Sequence, residues 1–130
     1  MISKSFRLCC WLIILFSCIG GSEIWAQTEG LASYYHSRFH GRVSSSGRVH
    51  DREELVAAHR TYPFGTFLRV TNLKNMKSVI VCVTDRGPRS RKRLIDLSEE
   101  AAERLDFKRH GVTKVRIEEV PGPLDLRYLD

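Results

Sequence analysis

The residue best placed to carry chemistry in this sequence is Asp85, which directly follows a run of apolar residues. It shares strand parity with Val79, Val81 and Val83, so a strand through them would bring the carboxylate to the point where the strand leaves the core. Partial loss of solvent there raises the pKa of a carboxyl group and suits it to donate a proton near neutral pH. Arg86-Gly87-Pro88 also predicts a turn, and on position alone a carboxylate that caps backbone N–H groups is the simpler interpretation.

Two further side chains, Asp51 and His59, are candidates for supporting the same chemistry. Asp51 begins Asp51-Arg52-Glu53-Glu54, whose spacing matches a capping box and so also predicts one helical turn before Leu55. His59 ends a short apolar segment, where an imidazole relays a proton, orients a carboxylate or simply satisfies its hydrogen bonds within a strand. Neither position shows by itself which role applies.

Metal and nucleotide chemistry have no motif in this sequence. No HExxH or CxxC pattern is present, and His36 and His40 have helical spacing but fall in a predicted strand and loop. Phosphate-binding loops are absent as well. Cys82 lies between Val81 and Val83, in surroundings that suppress thiolate formation and indicate a core residue. We therefore expect neither a metal nor a cofactor.

The first 26 residues have the anatomy of an export signal. Lys4 and Arg7 form a positive start, an apolar stretch of about 11 residues follows, and a short polar tail ends at Ala26. That stretch is well short of the ~20 residues that span a bilayer as a helix. Two outcomes are open: cleavage after Ala26 releases a soluble chain, whereas processing at Cys18 gives a lipoprotein. Phe16 departs from the lipoprotein processing pattern.

Removal of that segment leaves one basic domain of about 104 residues that contains a single cysteine. The whole chain carries 21 Lys and Arg against 15 Asp and Glu; without Lys4, Arg7 and Glu23 the counts are 19 and 14, hence +5. A single cysteine allows no internal disulfide, and a domain of this size buries a core without one. Net positive charge suits an anionic partner, and an exported protein meets anionic wall polymers or the membrane surface. We therefore expect no nucleic-acid partner. The simpler interpretation is that the charge only keeps the protein soluble.

Short segments of alternating polarity predict a mainly β domain. The predicted strands cover residues 30–36, 55–59, 67–72, 78–84, 93–97 and 112–119. Leu73 to Lys77 connect the third and fourth of these as a hairpin. The Ser78–Thr84 run is apolar on both faces, so it should lie inside the sheet. Ser98 caps one main helix that continues to about Phe107, and together these elements predict a small closed β-barrel.

A long polar segment and its aromatic neighbours predict a binding surface. Residues 37–54 lack a hydrophobic period and contain glycines and a run of serines, which indicates a surface loop. Loops of that length in small domains are usually functional. Tyr34, Tyr35 and Phe39 beside it would offer an apolar platform for sugar faces, although strand alternation directs one of the two tyrosines inward.

Several separated segments together resemble the rare lipoprotein A family. In order they are Gly30-Leu31-Ala32-Ser33-Tyr34-Tyr35, Phe39-His40-Gly41-Arg42, Ala57-Ala58-His59-Arg60, Arg69-Val70-Thr71-Asn72-Leu73, Asp85-Arg86-Gly87-Pro88 and Ile95-Asp96-Leu97-Ser98. Their order and spacing fit across residues 29–120. The resemblance implies a six-stranded double-psi β-barrel, the fold shared with expansins and barwin-like proteins, at residues 27–120 between a signal peptide at 1–26 and a short tail at 121–130.

The resemblance also implies an activity, which is lytic transglycosylation of peptidoglycan in the bacterial cell envelope. The family's preferred substrate is glycan strands stripped of stem peptides, and no cofactor is needed. One group protonates the glycosidic oxygen and then, as a base, helps the 6-hydroxyl of muramic acid close a 1,6-anhydro ring. Asp85 matches the family's acid/base aspartate, and Asp51 and His59 match two further residues implicated in activity. The expected substrate-binding residues are Tyr34, Tyr35, Arg48 and Arg86.

One departure from the family pattern leaves two functions open. The family usually has Ala-Asn-Gly-Glu two residues before a Tyr-Asp pair, and here the glutamate is replaced by Arg48 and the tyrosine by His50. If the glutamate is required for cleavage, the protein is a non-catalytic glycan-binding or wall-loosening module of the expansin type. If it only shapes the cleft, Arg48 holds substrate carboxylates or lowers the pKa of Asp51. We expect a monomer, periplasmic or secreted, with a membrane tether only if Cys18 is lipidated.

Overall fold

The structure is a computed structural model that describes residues 26–35, 41–47, 49 and 53–122. Six strands and one helix lie in these ranges: β1 (Gln27–Tyr34), β2 (Val56–Ala58), β3 (Phe67–Asn72), β4 (Ser78–Asp85), β5 (Arg93–Leu97), α1 (Glu99–Arg104) and β6 (Val112–Val120). The predicted export signal up to residue 25 and the tail from residue 123 lie outside the described residues. In the described part, no helix has the length and hydrophobicity that a membrane crossing requires.

The six strands close into a barrel in the order β1-β5-β2-β4-β3-β6. Two neighbouring pairs, β1 with β5 and β2 with β4, run parallel, and the other described pairs run antiparallel. The predicted fold class, a mainly β, six-stranded double-psi barrel with one main helix, is therefore confirmed. Because parallel pairs join strands far apart in sequence, residues from the first and last thirds of the domain meet at the same end of the barrel.

β4 lies inside the sheet, as predicted, because it pairs with both β2 and β3. Its inward side chains Val79, Val81 and Val83 are at most 8% exposed and join the core. On the outer face, Ile80 is 44% exposed and Cys82 is half-buried. The outer face of β4 is therefore partly open to solvent, since a closed barrel of this size leaves its outer wall to solvent wherever no helix lies on it.

Helix α1 begins where predicted but ends earlier. The Ser98 side chain accepts a hydrogen bond from the Ala101 N–H, and two acidic residues occupy the first turn, where they favour the positive end of the helix. The helix ends at Arg104 rather than near Phe107, because Asp106 has a positive φ of 58°. This turn reverses the chain and brings Phe107, which is 1% exposed, back onto the core.

Asn72 joins three parts of the barrel at the end of β3. It is 1% exposed, and its Nδ2 donates to the Leu105 carbonyl at 2.8 Å. Its Oδ1 accepts from the Lys74 N–H at 3.0 Å and from the Thr113 hydroxyl at 2.9 Å. A single buried amide therefore forms hydrogen bonds with groups at the end of α1, in the β3–β4 connection and at the start of β6.

Candidate active site

A cleft of about 590 Å³ lies at the end of β4, and Asp85 forms part of its wall. Its lining comes from four segments: the end of β1, the loop around residues 42–45, the turn after β4, and β5. The charged lining residues are Arg42, Asp85, Arg86, Arg89, Arg93 and Asp96. With four arginines against two aspartates, the cleft carries net positive charge and suits an anionic ligand.

A bulge in β4 aims Asp85 into this cleft. In the pair of β4 with β2, Val83 lies opposite Ala57. Asp85 lies opposite Ala58, the next residue of β2, so Thr84 is an extra residue on β4. Bulges bend a strand and re-aim the side chains that follow them. The predicted position of Asp85, where a buried strand leaves the core, is found, and the bulge turns its carboxylate toward the cleft.

The Asp85 carboxylate accepts hydrogen bonds on both of its oxygens. Oδ1 accepts from the Ser45 N–H at 2.9 Å and from the Arg86 N–H at 2.8 Å, and Oδ2 accepts from the Tyr35 hydroxyl at 3.1 Å. Burial by itself raises the pKa of Asp85, but these hydrogen bonds, with one from the Ser45 side chain, outweigh it and lower the pKa. The predicted rise is therefore wrong for the free protein, because it counted burial and omitted the donors.

Tyr35, one of the expected substrate-binding residues, lines the cleft. Its N–H donates to the Leu97 carbonyl at 2.8 Å, which fixes the end of β1 beside β5. Burial, followed by the negative charge of Asp85, the hydrogen bond to it and the charge of Asp96, raises the pKa of Tyr35. The Tyr35 hydroxyl therefore stays protonated in the physiological pH range and donates a hydrogen bond to Asp85.

Tyr34 faces the opposite way, as alternation along β1 requires for one of the two tyrosines. Its ring meets Phe107 edge-on with the centroids 6.0 Å apart, and its hydroxyl donates to the Lys108 carbonyl at 3.1 Å. The structure therefore does not bring Tyr34 into the Asp85 cleft, and its observed contacts are those of a core residue. The loop aromatic Phe39 lies outside the described residues.

His59 is buried behind the cleft and is linked to it through the main chain. Its Nδ1 accepts from the Thr61 and Tyr62 N–H groups, each at 3.2 Å, so a neutral ring carries its proton on Nε2. Burial, followed by neighbouring positive charge, lowers the pKa of His59. Its backbone N–H donates to the Asp85 carbonyl at 3.2 Å. These contacts give His59 a positioning role for the segment that follows β2.

The Arg86 guanidinium is held against the same segment. Its Nη1 donates to the Tyr62 carbonyl at 2.8 Å and to the His59 carbonyl at 3.3 Å. Its Cζ lies 4.0 Å from the centroid of the Phe64 ring, in a cation–π contact. The structure thus brings three predicted site residues, Asp85, Tyr35 and Arg86, into one cleft, with His59 directly behind. Asp51 and Arg48 lie outside the described residues.

A second carboxylate, Asp96, lies in the cleft and was missed as a site residue. Ser33 donates to its Oδ1, and Arg93 forms an ion pair with it at 3.4 Å. Arg93 also donates to the Ser33 hydroxyl at 2.6 Å. Two signals were available: strand parity places the Asp96 side chain on the face away from its buried neighbours on β5, and Asp96 lies within one of the segments that resemble the family. The parallel pairing that sets Ser33 beside it is a tertiary feature. Within the described ranges, no three His, Cys, Asp or Glu side chains are grouped to hold a metal ion.

Comparison of this chain with known families and proteins gives consistent matches. The family described as lytic transglycolase matches residues 27–117. The endolytic peptidoglycan transglycosylase RlpA of Haemophilus influenzae is 51% identical over 90 residues, which are 69% of this chain and 31% of that protein. The protein of the same name from Neisseria meningitidis serogroup A is 51% identical over 94 residues, 72% of this chain and 39% of that protein. The chain thus spans between 31% and 39% of the length of these two relatives.

Solved structures show the same barrel. An expansin from Clavibacter michiganensis without ligand superposes with a TM-score of 0.62 and 27% identity, covering 75% of this chain and 52% of the expansin. The Streptomyces papain inhibitor superposes with a TM-score of 0.61 and 23% identity, covering 76% of this chain and 98% of the inhibitor. The second likeness concerns the fold alone. Both agree with the double-psi barrel predicted from the sequence.

Proposed function

This chain belongs to the lytic transglycolase family, and from that membership we propose that it cleaves the glycan strands of peptidoglycan with Asp85 as the acid and base. The family prediction made from separated sequence segments is confirmed by this match. Relatives 51% identical to this region are named endolytic peptidoglycan transglycosylases, which supports the proposal. The single observation that carries it is the position of Asp85, held by Ser45, Tyr35 and Arg86 in a cleft large enough for sugar rings.

The proposed reaction needs one carboxyl group and no water. Protonated Asp85 gives its proton to the glycosidic oxygen, and the bond from that oxygen to C1 of muramic acid breaks. The 6-hydroxyl oxygen then bonds to C1 and closes the 1,6-anhydro ring, while the Asp85 carboxylate takes up the proton that this hydroxyl loses. Bonds and protons balance, and the carboxyl group ends in the protonation state in which it began.

The lowered pKa of Asp85 imposes a condition on this mechanism. In the free protein the hydrogen bonds from Ser45, Arg86 and Tyr35 favour the anion, which is ready to act as a base but not as an acid. A glycan in the cleft displaces water, which strengthens the effect of burial and raises the pKa of the carboxyl group. Asp85 therefore takes up its proton as the glycan binds.

The charge of the cleft supports the same class of substrate. Muramic acid carries a lactyl carboxylate that is free when the stem peptide is absent, and four arginines line the cleft. Guanidinium groups bind carboxylates by charge-assisted hydrogen bonds. Asp96 already accepts from Ser33 and is ion-paired with Arg93, so in this proposal it orders the cleft wall and Asp85 alone transfers protons.

The alternative is a glycan-binding or wall-loosening module without catalysis. Two observations favour it: the family glutamate is replaced by Arg48, and an expansin shares 27% identity across 75% of this chain. In this alternative the cleft binds a strand and Asp85 serves only as a hydrogen-bond acceptor for the turn and the loop.

The experiment that decides between them uses peptide-free glycan strands. The protein is incubated with the strands, and mass spectrometry is used to look for fragments that end in 1,6-anhydro muramic acid. Their formation supports the enzyme, whereas binding without such fragments supports the module. Arg48→Glu is the companion variant, because a gain of cleavage would identify the substitution as the cause of an inactive parent.

We also propose that the protein acts outside the cytoplasm, in the cell envelope, because the first 26 residues have the pattern of an export signal. The mass of the mature N-terminus tests this proposal. A chain that begins after Ala26 indicates a soluble exported protein, and one that begins at a lipid-modified Cys18 indicates a membrane-tethered protein. Retention of the whole segment would contradict export.

A further inference from the structure

Phe64 is an exposed aromatic residue beside the cleft that the proposed mechanism does not use. Its side chain is 42% exposed, and it is not part of the hydrophobic core among the described residues. Its neighbour Tyr62, by contrast, is partly buried and packs against that core. The exposed part of this ring is a flat apolar surface beside the cleft.

The position of Phe64 is fixed although its ring is exposed. The Thr66 N–H donates to the Pro63 carbonyl at 3.1 Å, and Gly65 has a φ of +89°, which a side chain would strain. The Gly65 N–H donates to the Val83 carbonyl at 2.9 Å. The turn that carries Phe64 is therefore hydrogen-bonded to β4 two residues before Asp85.

Arg86 connects the ring directly to the cleft. Its guanidinium lies over the Phe64 ring at 4.0 Å and donates to the Tyr62 carbonyl at 2.8 Å. Its backbone N–H donates to Asp85 Oδ1 at 2.8 Å, and its side chain lines the cleft. Phe64 therefore adjoins the cleft through its contact with Arg86, and the part of its side chain that Arg86 does not cover is open to solvent.

We propose that Phe64 is a sugar-binding platform at the margin of the Asp85 cleft, where its ring stacks on the apolar C–H face of one sugar of a bound glycan strand. Sugar rings present such faces beside their hydroxyl groups, so an aromatic ring paired with a guanidinium matches both kinds of surface. The inference rests on the proposed function, since that function supplies the glycan strand. It goes beyond that function by assigning a binding subsite to a residue with no part in proton transfer.

Ile80 is an exposed apolar residue that, unlike Phe64, lies away from the cleft. It is 44% exposed, close to the value for Phe64, but it lies on the outer face of β4, opposite Arg69 of β3. Neither Ile80 nor Phe64 belongs to the lining of the cleft, but Phe64 contacts the lining residue Arg86. Ile80→Ala is therefore a matched control for the loss of exposed apolar surface.

The test compares Phe64→Ala, Phe64→Leu and Phe64→Trp with Ile80→Ala. Dissociation constants are measured by calorimetry for peptide-free glycan strands and for a neutral hexamer of N-acetylglucosamine. We expect Phe64→Ala to weaken binding of both by about tenfold, Phe64→Leu to weaken it less, and Phe64→Trp to retain it. Ile80→Ala should bind as the parent does. Melting temperatures establish that each variant is folded.

Binding and cleavage separate this inference from the proposed function. If the parent cleaves strands, Phe64→Ala should raise KM and leave kcat within about twofold, as expected for a contact made equally in the ground state and the transition state. If the parent binds but does not cleave, the acid/base proposal fails and the calorimetry still tests the platform. Equal affinities for the parent and a folded Phe64→Ala variant would overturn the inference, as would equal loss in Phe64→Ala and Ile80→Ala.

Discussion

The hydroxyl of Tyr35 donates a hydrogen bond to Oδ2 of Asp85 across 3.1 Å, although the two residues are 50 positions apart in the chain. The barrel brings them together because β1 pairs with β5, β5 with β2, and β2 with β4. Each residue alters the ionisation of the other: the carboxylate raises the pKa of the phenol, and the phenol helps to lower the pKa of the carboxyl group. The hydrogen bonds from Ser45 and Arg86, with a further contribution from Tyr35, therefore favour the Asp85 anion in the free protein.

Replacing Tyr35 with Phe should raise the pKa of Asp85, because one donor to the anion is lost while burial stays. Asp85 in the parent has a pKa below its ordinary value, so its anion stabilises the fold above that ordinary value, and the contribution disappears as the pH falls through the folded-state pKa. In Tyr35→Phe the folded-state pKa lies closer to the ordinary value, so this contribution is smaller and its loss is complete at a higher pH. Carbon-13 NMR titration of the Asp85 carboxyl measures the shift.

Tyr34→Phe is the control for this prediction. The Tyr34 hydroxyl donates to the Lys108 carbonyl and lies away from the cleft, so its removal should leave the titration of Asp85 unchanged. Superimposable titrations in the parent and Tyr35→Phe would show that the Tyr35 hydroxyl does not govern the charge of Asp85.

Asp85→Asn should abolish cleavage while the fold is kept. The side-chain oxygen of asparagine still accepts from the Ser45 and Arg86 N–H groups, but the amide neither gives nor takes a proton at the glycosidic oxygen. Loss of acid/base catalysis lowers kcat by about 10² to 10⁴-fold. The measurement is the rate at which 1,6-anhydro ends form on peptide-free strands, with thermal melting as the check on folding.

Asp96→Asn separates the two carboxylates of the cleft. Since Asp96 is committed to Ser33 and Arg93, its replacement should destabilise the barrel and reduce kcat by less than about tenfold through disorder of the cleft wall. A larger loss of kcat in a folded Asp96→Asn variant than in Asp85→Asn would reverse the assignment of the acid/base residue.

The strands were predictable wherever local alternation decides the structure. β3 begins and ends at the predicted residues, and β4 and β6 each extend one residue further than predicted. β1 begins at Gln27 rather than Gly30. Residues 27–29 are polar and show no strand pattern, but they extend β1 because they pair with β6. Helix α1 is shorter than its apolar pattern suggests. The positive φ at Asp106 is incompatible with a helix, and it turns the chain so that Phe107 is buried.

The position of Asp85 was predictable, but the electrostatics around it were not. Parity along β4 placed Asp85 at the point where the strand leaves the core, and the structure has it there. The sign of its pKa shift depends on Ser45 and Tyr35, which belong to a loop and a strand end remote in sequence. No local pattern reports such donors. The same reason explains why Asp96 was missed: its partner Ser33 is supplied by a parallel strand.

Asn72→Ala should destabilise the barrel by about 2–4 kcal/mol, because it leaves the Lys74 N–H and the Thr113 hydroxyl without their buried acceptor and opens a cavity. Urea unfolding of the two proteins measures the difference. Asn75→Ala is the matched control, since Asn75 donates to the same Leu105 carbonyl but lies exposed, and should cost less than about 1 kcal/mol. If both variants lost a similar free energy of unfolding, the buried hydrogen bonds of Asn72 would contribute no more to stability than the exposed one of Asn75.

Finally, His59→Asn should remove a pH-dependent part of the stability. The Asn Oδ1 occupies the place of the histidine Nδ1 and accepts from the same Thr61 and Tyr62 N–H groups, but it does not titrate. Burial lowers the pKa of His59 below its ordinary value of 6.5, so the neutral ring stabilises the fold above that value. This contribution is lost as the pH falls through the folded-state pKa.

Urea unfolding at about pH 7.5 and about pH 5 tests this, because the second value lies below the ordinary histidine pKa. The free energy of unfolding should fall more between the two pH values in the parent than in His59→Asn. His110→Asn serves as the control, because His110 is exposed and its replacement should leave the parental difference in place. If the parent and His59→Asn lose the same free energy, protonation of His59 does not disturb the turn at Thr61 and Tyr62, and the assignment of its Nδ1 as their acceptor is wrong.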